Sequence, residues 1–193
     1  MPSPTPAAPP ERWPFAPYGA MLGLAWLAYA WPWLGGAVTI PWDAKAHFFP
    51  QLSFLAQAIA RGEGYAWTPN VFSGAPQIAD PQSLIFSPLH HALARFSGNP
   101  GFAAADAVSF GMLLAGALAV LAYFRDRNWH PAGALVAAIA FAMGGSAAWR
   151  IQHTGQILSL AWFPIVLLLL DRALTRASVA YGALAGVAAG FML

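Results

Sequence analysis

Residues 107–124 read AVSFGMLLAGALAVLAYF and contain no Asp, Glu, Lys or Arg. A membrane-spanning helix needs about 20 mostly apolar residues, so this stretch predicts a transmembrane helix. Three further runs without these charges cover residues 17–36, 132–149 and 151–170, and a shorter one covers 178–193. The sequence therefore predicts an all-α polytopic membrane protein with about five transmembrane helices.

The composition excludes several classes of protein. Charged residues make up 8% of the 193 residues, against roughly a quarter in soluble domains, and hydrophobic residues reach 59%. A soluble enzyme, a nucleic-acid binder and a disordered chain are therefore excluded, and we expect no nucleic acid among the partners. The net charge of +2 does not by itself imply an anionic partner. Without Cys, disulfides, thiolate nucleophiles and zinc–thiolate sites are impossible.

The chain divides into a tail, a membrane domain and one long loop. Seven of the 17 prolines lie in residues 1–17, so we expect a disordered tail at 1–16 and a transmembrane domain at 17–193. The last uncharged run has only 16 residues, which predicts the N-terminal part of a larger bundle. The alternative is a short fifth helix that ends there.

The basic residues of the short connections predict the orientation. Five arginines, against Arg150 alone, lie on the side of the N-terminus: Arg12, Arg125, Arg127, Arg172 and Arg176. Cytoplasmic connections carry the excess of Lys and Arg, so we expect a cytoplasmic N-terminus and an extracytoplasmic loop at 41–106. Such a long loop is typical of a functional segment.

Two short amphipathic helices are predicted within this loop. Apolar residues recur at helical spacing from Phe48 to Ile59, and Gly62 is a plausible stop. Ser87 and Pro88 predict the start of a second helix, with a stripe of Leu89, Ala92, Leu93 and Phe96. We expect both helices to lie in the membrane interface. The intervening residues 64–81 are rich in Gly, Pro, Asn and Ser, which predicts irregular backbone.

Two groups of polar residues are candidates for a site at this membrane face. Asp43 follows the first span closely, where its carboxylate could meet the head of a lipid carrier; the alternative is a cap for a helix that starts at Ala44. Arg150, His153 and Gln156 are three residues apart and would share one face of a helix. Arg and His suit a phosphate, although an interfacial Arg and a hydrogen-bonded loop His are an equally good interpretation.

An ordered set of short motifs in the loop resembles one family. The chain resembles bacterial YfhO-type membrane proteins of the C-type (GT-C) superfamily of membrane glycosyltransferases. The resemblance rests on Trp42-Asp43, Phe49-Pro50, Arg61-Gly62-Glu63, Trp67-Thr68-Pro69-Asn70, Phe72-Ser73-Gly74-Ala75-Pro76, Asp80-Pro81-Gln82 and Phe86-Ser87-Pro88, and on residues 153–171 with Ala161-Trp162-Phe163-Pro164. His47 and Thr68 depart from the family, which usually has Gln and Asn near those positions.

The resemblance implies a many-helix protein of the bacterial inner membrane that uses a polyprenyl-phosphate sugar as donor. Asp43 matches the catalytic Asp of the family's first outer loop. We therefore expect Asp43 to act as general base, or to bind Mg²⁺ or Mn²⁺ together with Asp80. Arg150, His153, Gln156 and His47 are the candidates for binding substrate and phosphate. The acceptor could be a glycan, a lipid or a protein.

Two other functional classes remain open. A transporter or a lipid-binding scaffold would share the composition, but transporters tend to have polar sites at the membrane midplane. The polar groups of this sequence lie at one membrane face instead. The third possibility is an inactive fragment of a larger enzyme.

Overall fold

Helices dominate the computed structural model, which describes residues 12–80 and 82–192. They are α1 (Phe15–Leu34), α2 (Phe49–Arg61), α3 (Pro88–Ser97), α4 (Phe102–Asp126), α5 (Pro131–Met143), α6 (Gly145–Arg150), α7 (Thr154–Thr175) and α8 (Val179–Gly190). In these residues the only sheet is a ribbon of two-residue strands, β1 (Trp67–Thr68) and β2 (Ala75–Pro76). The predicted all-α class is confirmed.

Three helical segments are long and apolar enough to cross a membrane: Phe102–Asp126, Pro131–Arg150 and Thr154–Thr175. They correspond to the second, third and fourth predicted spans. Helix α1 has 20 residues, but its Trp, Tyr and Pro side chains make it less apolar than these three. Helix α8 has only 12 residues. These three segments indicate that the chain is a membrane protein. The count of five spans stays a prediction.

Helix α4 lies at the centre of the bundle and packs against α1, α5 and α7, and α8 packs on α7. Its partner α5 presents Ala134, Ala138 and Ala142, spaced four residues apart and fully buried. Small side chains at this spacing let two helices approach closely, which drives association in lipid, where burial from water contributes little. Where α4 packs against α7, Gly116 of α4 faces the backbone of Ala161: a Cβ at Gly116 would lie 2.8 Å from the Ala161 carbonyl oxygen.

Two predicted segments differ in detail from the structure. The third span, Pro131–Arg150, contains a break, because the backbone becomes extended at Gly144 (φ −71°, ψ 168°) and separates α5 from α6. Consecutive glycines at 144 and 145 have low helix propensity, which explains the break. The tail was expected to reach residue 16, but α1 begins at Phe15, since Pro17 fits the first turn of a helix. Residues 1–11 of that tail lie outside the described residues.

The long loop folds onto the bundle. Both predicted helices are present as α2 and α3, with Gly62 in the left-handed conformation (φ 69°) and the Ser87 hydroxyl accepting from the His90 amide. The segment at 64–81 was predicted to be irregular, but it contains β1 paired antiparallel with β2. Gly74 closes this ribbon: a Cβ there would lie 2.6 Å from the Trp67 ring. The ribbon therefore requires glycine at this position.

Helix α3 buries a face that carries His90 and Ala94. In the predicted apolar stripe, Phe96 is 89% exposed, whereas Leu89 and Leu93 pack against buried clusters. Ala94 contacts Leu52 and Leu55 of α2. The two loop helices thus pack on each other through α3's His-bearing face, which leaves the apolar stripe partly open.

The end of the bundle opposite the loop gathers the charged connections. The Asp126 carboxylate meets Arg12, Arg172 and Arg176, and Asp171 pairs with Arg127. The Arg125 side chain donates to the Trp13 carbonyl. All five arginines that predicted the orientation therefore lie at one end of the bundle.

Replacing Gly116 with Ala should destabilise the bundle. The new Cβ would lie 2.8 Å from the Ala161 carbonyl oxygen and from the Phe141 ring, so α4 and α7 would have to separate. We expect a loss of about 1–3 kcal/mol, measured as a lower melting temperature in detergent. Gly111→Ala in the same helix is the matched control, because nothing lies within 4 Å of its Cβ position. Equal melting temperatures for the two variants would contradict the close packing.

Candidate functional site

The chain reaches Asp43 through an unusual backbone path. After α1 it passes Gly36 (φ 73°) and then Trp42, a non-glycine residue with a left-handed φ of 57°. A π-helical turn, Ala44–Phe48, follows directly and leads into α2. Sparsely populated backbone conformations and π-helical turns are both enriched at functional sites. The backbone around Asp43 is therefore set by the tertiary structure rather than by local preference.

Asp106 anchors this path from the first turns of α4. Its side chain is 4% exposed, and its Oδ2 accepts a hydrogen bond of 3.1 Å from the Ile40 amide. Ile40 is itself buried against Ala30 and Phe110. A buried carboxylate is costly unless it is hydrogen-bonded, and here the bond fixes the linker three residues before Asp43.

The Asp43 carboxylate contacts His153. Its Oδ2 lies 3.0 Å from Nδ1 of His153, across the gap between the α1–α2 linker and the start of α7. The side chain makes no capping hydrogen bond to the helix that starts at Ala44, so the capping interpretation is wrong. The Asp43 side chain is 54% exposed and that of His153 is 27% exposed. The pair is thus accessible from outside the bundle.

This pair lies on the wall of a cavity of about 670 Å³. Ligand-binding cavities are commonly about 300–1,000 Å³. The other polar groups in the wall come from the loop and from the first turns of α7, and apolar side chains complete it. The lining includes Asp43, Gln82, His153, Gln156, Ser159 and Phe163. The cavity therefore joins acidic, imidazole, amide and hydroxyl groups to an apolar surface.

The predicted second cluster is only partly assembled. Arg150, His153 and Gln156 do not share one helix, because α6 ends at Arg150 and α7 begins at Thr154. The turn between them is closed by the His153 amide, which donates to the Arg150 carbonyl. His153 and Gln156 line the cavity, whereas Arg150 is exposed outside its lining. His47 is also outside, with its ring 3.1 Å from the Gln51 amide nitrogen.

The expected metal site does not fit the donors present. Asp80 lines a separate cavity of about 360 Å³ with Ser83 and Phe86, and one of its oxygens accepts from the Gln82 amide. Within residues 12–80 and 82–192, no group of three or more His, Asp or Glu side chains could hold a metal ion. Asp43 and Asp80 line different cavities, so no chemistry is assigned to Mg²⁺ or Mn²⁺.

A small polar cavity lies beneath the site. It has a volume of about 10 Å³, roughly enough for one water molecule, and His90, Asp106, Ser109 and Thr154 line it. The His90 residue is buried, with 5% of its surface exposed. Burial, with a smaller contribution from the neighbouring His91, lowers the pKa of His90 from 6.5 to about 4. His90 is therefore neutral at pH 7.

Sequence reasoning did not identify three of the residues that build the site. Asp106 supports the linker, and Gln82 and Ser159 line the larger cavity. An ionisable residue in the first turns of an apolar helix is a signal that could have identified Asp106. Gln82 and Ser159 carry no such signal, because neutral polar residues are common in loops and helices.

No protein-family profile, curated protein or solved structure matches the chain.

Acidification should destabilise the protein through His90. The unfolded chain takes up a proton near pH 6.5, whereas the folded chain does so near pH 4, so unfolding becomes more favourable as the pH falls between these values. The full effect is about 3 kcal/mol. We expect the melting temperature to fall between pH 6.5 and 4.5, and His90→Gln to reduce this fall.

His91 and Asp106 lie near His90, so the comparison with the variant isolates the contribution of His90. His130→Asn is the matched control, because His130 is exposed and Asn can keep its cap on the Ala132 amide. The same pH dependence in His90→Gln and wild type would show that His90 does not carry it.

Proposed function

We propose that the protein is a membrane glycosyltransferase that transfers a sugar from a polyprenyl-phosphate donor to an acceptor outside the cytoplasm. The observation that carries the proposal is the 3.0 Å contact between Asp43 and His153 on the wall of the 670 Å³ cavity. These residues are 110 positions apart in the sequence, and one of them is the Asp that the motif resemblance selects.

The chemistry of the pair suits sugar transfer. With His153 donating through Nδ1, Oδ1 of Asp43 remains able to accept a proton from the acceptor hydroxyl. The acceptor oxygen then bonds to the anomeric carbon as the bond from that carbon to the donor phosphate breaks. The leaving phosphate gains negative charge, which the donors of His153 and Arg150 would stabilise. Gln156, Ser159 and Gln82 offer hydrogen bonds to sugar hydroxyls.

The proposal includes the orientation and the number of spans. Helices α1 and α8 are proposed to complete five spans, with the arginine-rich end in the cytoplasm and the site at the outer surface of the bacterial inner membrane. A cavity at the outer rim with an apolar wall suits a substrate whose tail stays in the bilayer. His47 and Arg150 would then contact the substrate only from outside the cavity lining.

The break at Gly144 favours a second candidate, a transporter or a lipid-binding scaffold. Interrupted spans are frequent in transporters, where they create binding sites near the membrane midplane. However, the buried polar residues of the described spans lie near helix ends: Asp106, Ser109, Thr154 and Asp171. Surface chemistry on a lipid-linked substrate therefore fits the distribution of polar groups better.

Asp43→Asn should abolish sugar transfer. The amide keeps the size of the side chain but cannot accept the proton, so we expect the rate to fall by at least about 100-fold. The measurement is the loss of labelled polyprenyl-phosphate sugar from membranes that contain the protein, followed by chromatography. Glu63→Gln is the matched control, because Glu63 is an exposed loop carboxylate that pairs with Arg61 at 3.9 Å.

Equal activity of Asp43→Asn and wild type would remove Asp43 from the mechanism. No turnover by the wild-type protein, together with saturable uptake of a solute, would favour the transporter instead.

Labelling of single cysteines should place the loop outside the cytoplasm. The chain has no Cys, so each introduced thiol reports without background. We expect Gln57→Cys, on the exposed face of α2, to react in intact spheroplasts with a membrane-impermeant maleimide. Thr175→Cys, exposed at the other end of the bundle, should react only after the membrane is opened. The reverse pattern would place the site in the cytoplasm and contradict the proposed donor.

A further inference from the structure

The bundle end that carries Asp126 holds the excess positive charge of the described residues. Five arginines lie there with only two carboxylates, Asp126 and Asp171, which leaves an excess of three positive charges. The other described charges, four basic and four acidic residues, balance to zero. The positive charge is thus concentrated at one end and far from the Asp43 cavity.

Three guanidinium groups surround one carboxylate in this cluster. The Asp126 oxygens lie 2.6 Å from Nε of Arg172, 3.4 Å from Nη1 of Arg12 and 3.7 Å from Nη2 of Arg176. Asp126 is 7% exposed, whereas Arg12 and Arg176 are 47% and 42% exposed. The negative charge is therefore inside and the uncompensated positive charge faces outward.

Two of the three arginines are held in place by Tyr181. Arg176 donates to the Tyr181 hydroxyl at 3.1 Å, and the guanidiniums of Arg172 and Arg176 lie 5.9 Å and 5.3 Å from the centre of its ring. Such contacts fix the planar donors of Arg in a defined direction. The cluster is therefore a preformed set of donors rather than a group of mobile side chains.

The location identifies the anion. Trp13 and Trp129 lie at the same end, linked by the Trp13 indole, which donates to the Trp129 carbonyl at 2.9 Å. Trp and Tyr favour the level of the lipid headgroups. At that level the abundant anion is the phosphate of phospholipids, and Arg binds phosphate through two parallel hydrogen bonds. We propose that Arg12, Arg172 and Arg176 bind the headgroup of an anionic phospholipid beside Asp126.

The proposal predicts stabilisation by anionic lipid. Purified protein in dodecyl maltoside is melted with added phosphatidylglycerol or with the same amount of phosphatidylcholine. We expect phosphatidylglycerol to raise the melting temperature by about 5 °C more than phosphatidylcholine at saturation. The difference should shrink in 1 M NaCl, because the outer guanidiniums are exposed to screening.

The double variant Arg12→Ala/Arg176→Ala should lose this difference. Arg172 stays in contact with Asp126, so the buried carboxylate keeps a partner and the fold is retained. Arg61→Ala/Arg95→Ala removes the same charge from exposed arginines of α2 and α3 and should keep the full difference. If the double variant does not fold, Arg176→Gln alone should lose about half of the shift, since it leaves one of the two exposed guanidiniums.

Three results would overturn the proposal. Equal stabilisation by phosphatidylcholine and phosphatidylglycerol would show that the headgroup charge is not recognised. A full shift retained in the double variant, or in Arg176→Gln where that variant is used, would place the lipid elsewhere. The same shift produced by inorganic phosphate at equal concentration would assign the cluster to a free anion instead of a lipid.

Discussion

The close packing of α4 against α7 is the constraint on which the rest of the structure depends. Gly116 allows the backbone of α7 to approach at Ala161, and the two helices then run side by side to both ends. At one end this places Asp106 and Thr154 around the same small cavity, and at the other it places Asp126 beside Arg172. Both polar centres of the molecule are therefore built on one apolar contact between two helices.

The candidate site depends on this contact through a short series of interactions. Asp106 of α4 holds the Ile40 amide, the linker then continues through Trp42 to Asp43, and Asp43 meets His153 of α7. The loop also supports the site, because its residues Phe48 and Leu84 pack with Leu158 and Ala161 of α7, and Phe48 lines the cavity. A functional group on an irregular linker is thus positioned by rigid elements on either side, which precise chemistry requires.

Much of the fold could be predicted from the sequence, because the signals are local. Uncharged runs marked the three apolar spans, and Ser87, Pro88 and Gly62 marked the ends of the loop helices. The break at Gly144 also has a local signal in its two consecutive glycines, whereas tertiary packing decides which face α3 buries. For the site, the resemblance selected Asp43 and phosphate chemistry selected His153, but their contact at 3.0 Å depends on how the loop returns to the bundle. The placement of Asp80 and Asp43 in the walls of different cavities has the same cause.

Trp42 links the backbone of the site to the depth at which the site lies. An L-residue in the left-handed conformation costs about 1–2 kcal/mol, a penalty that glycine would avoid, and yet a 73% exposed indole stands there. In a bilayer that ring would settle among the headgroups and resist movement in either direction. Because Asp43 is the next residue, the indole would act as an interfacial anchor that keeps the carboxylate at the level of the lipid phosphates.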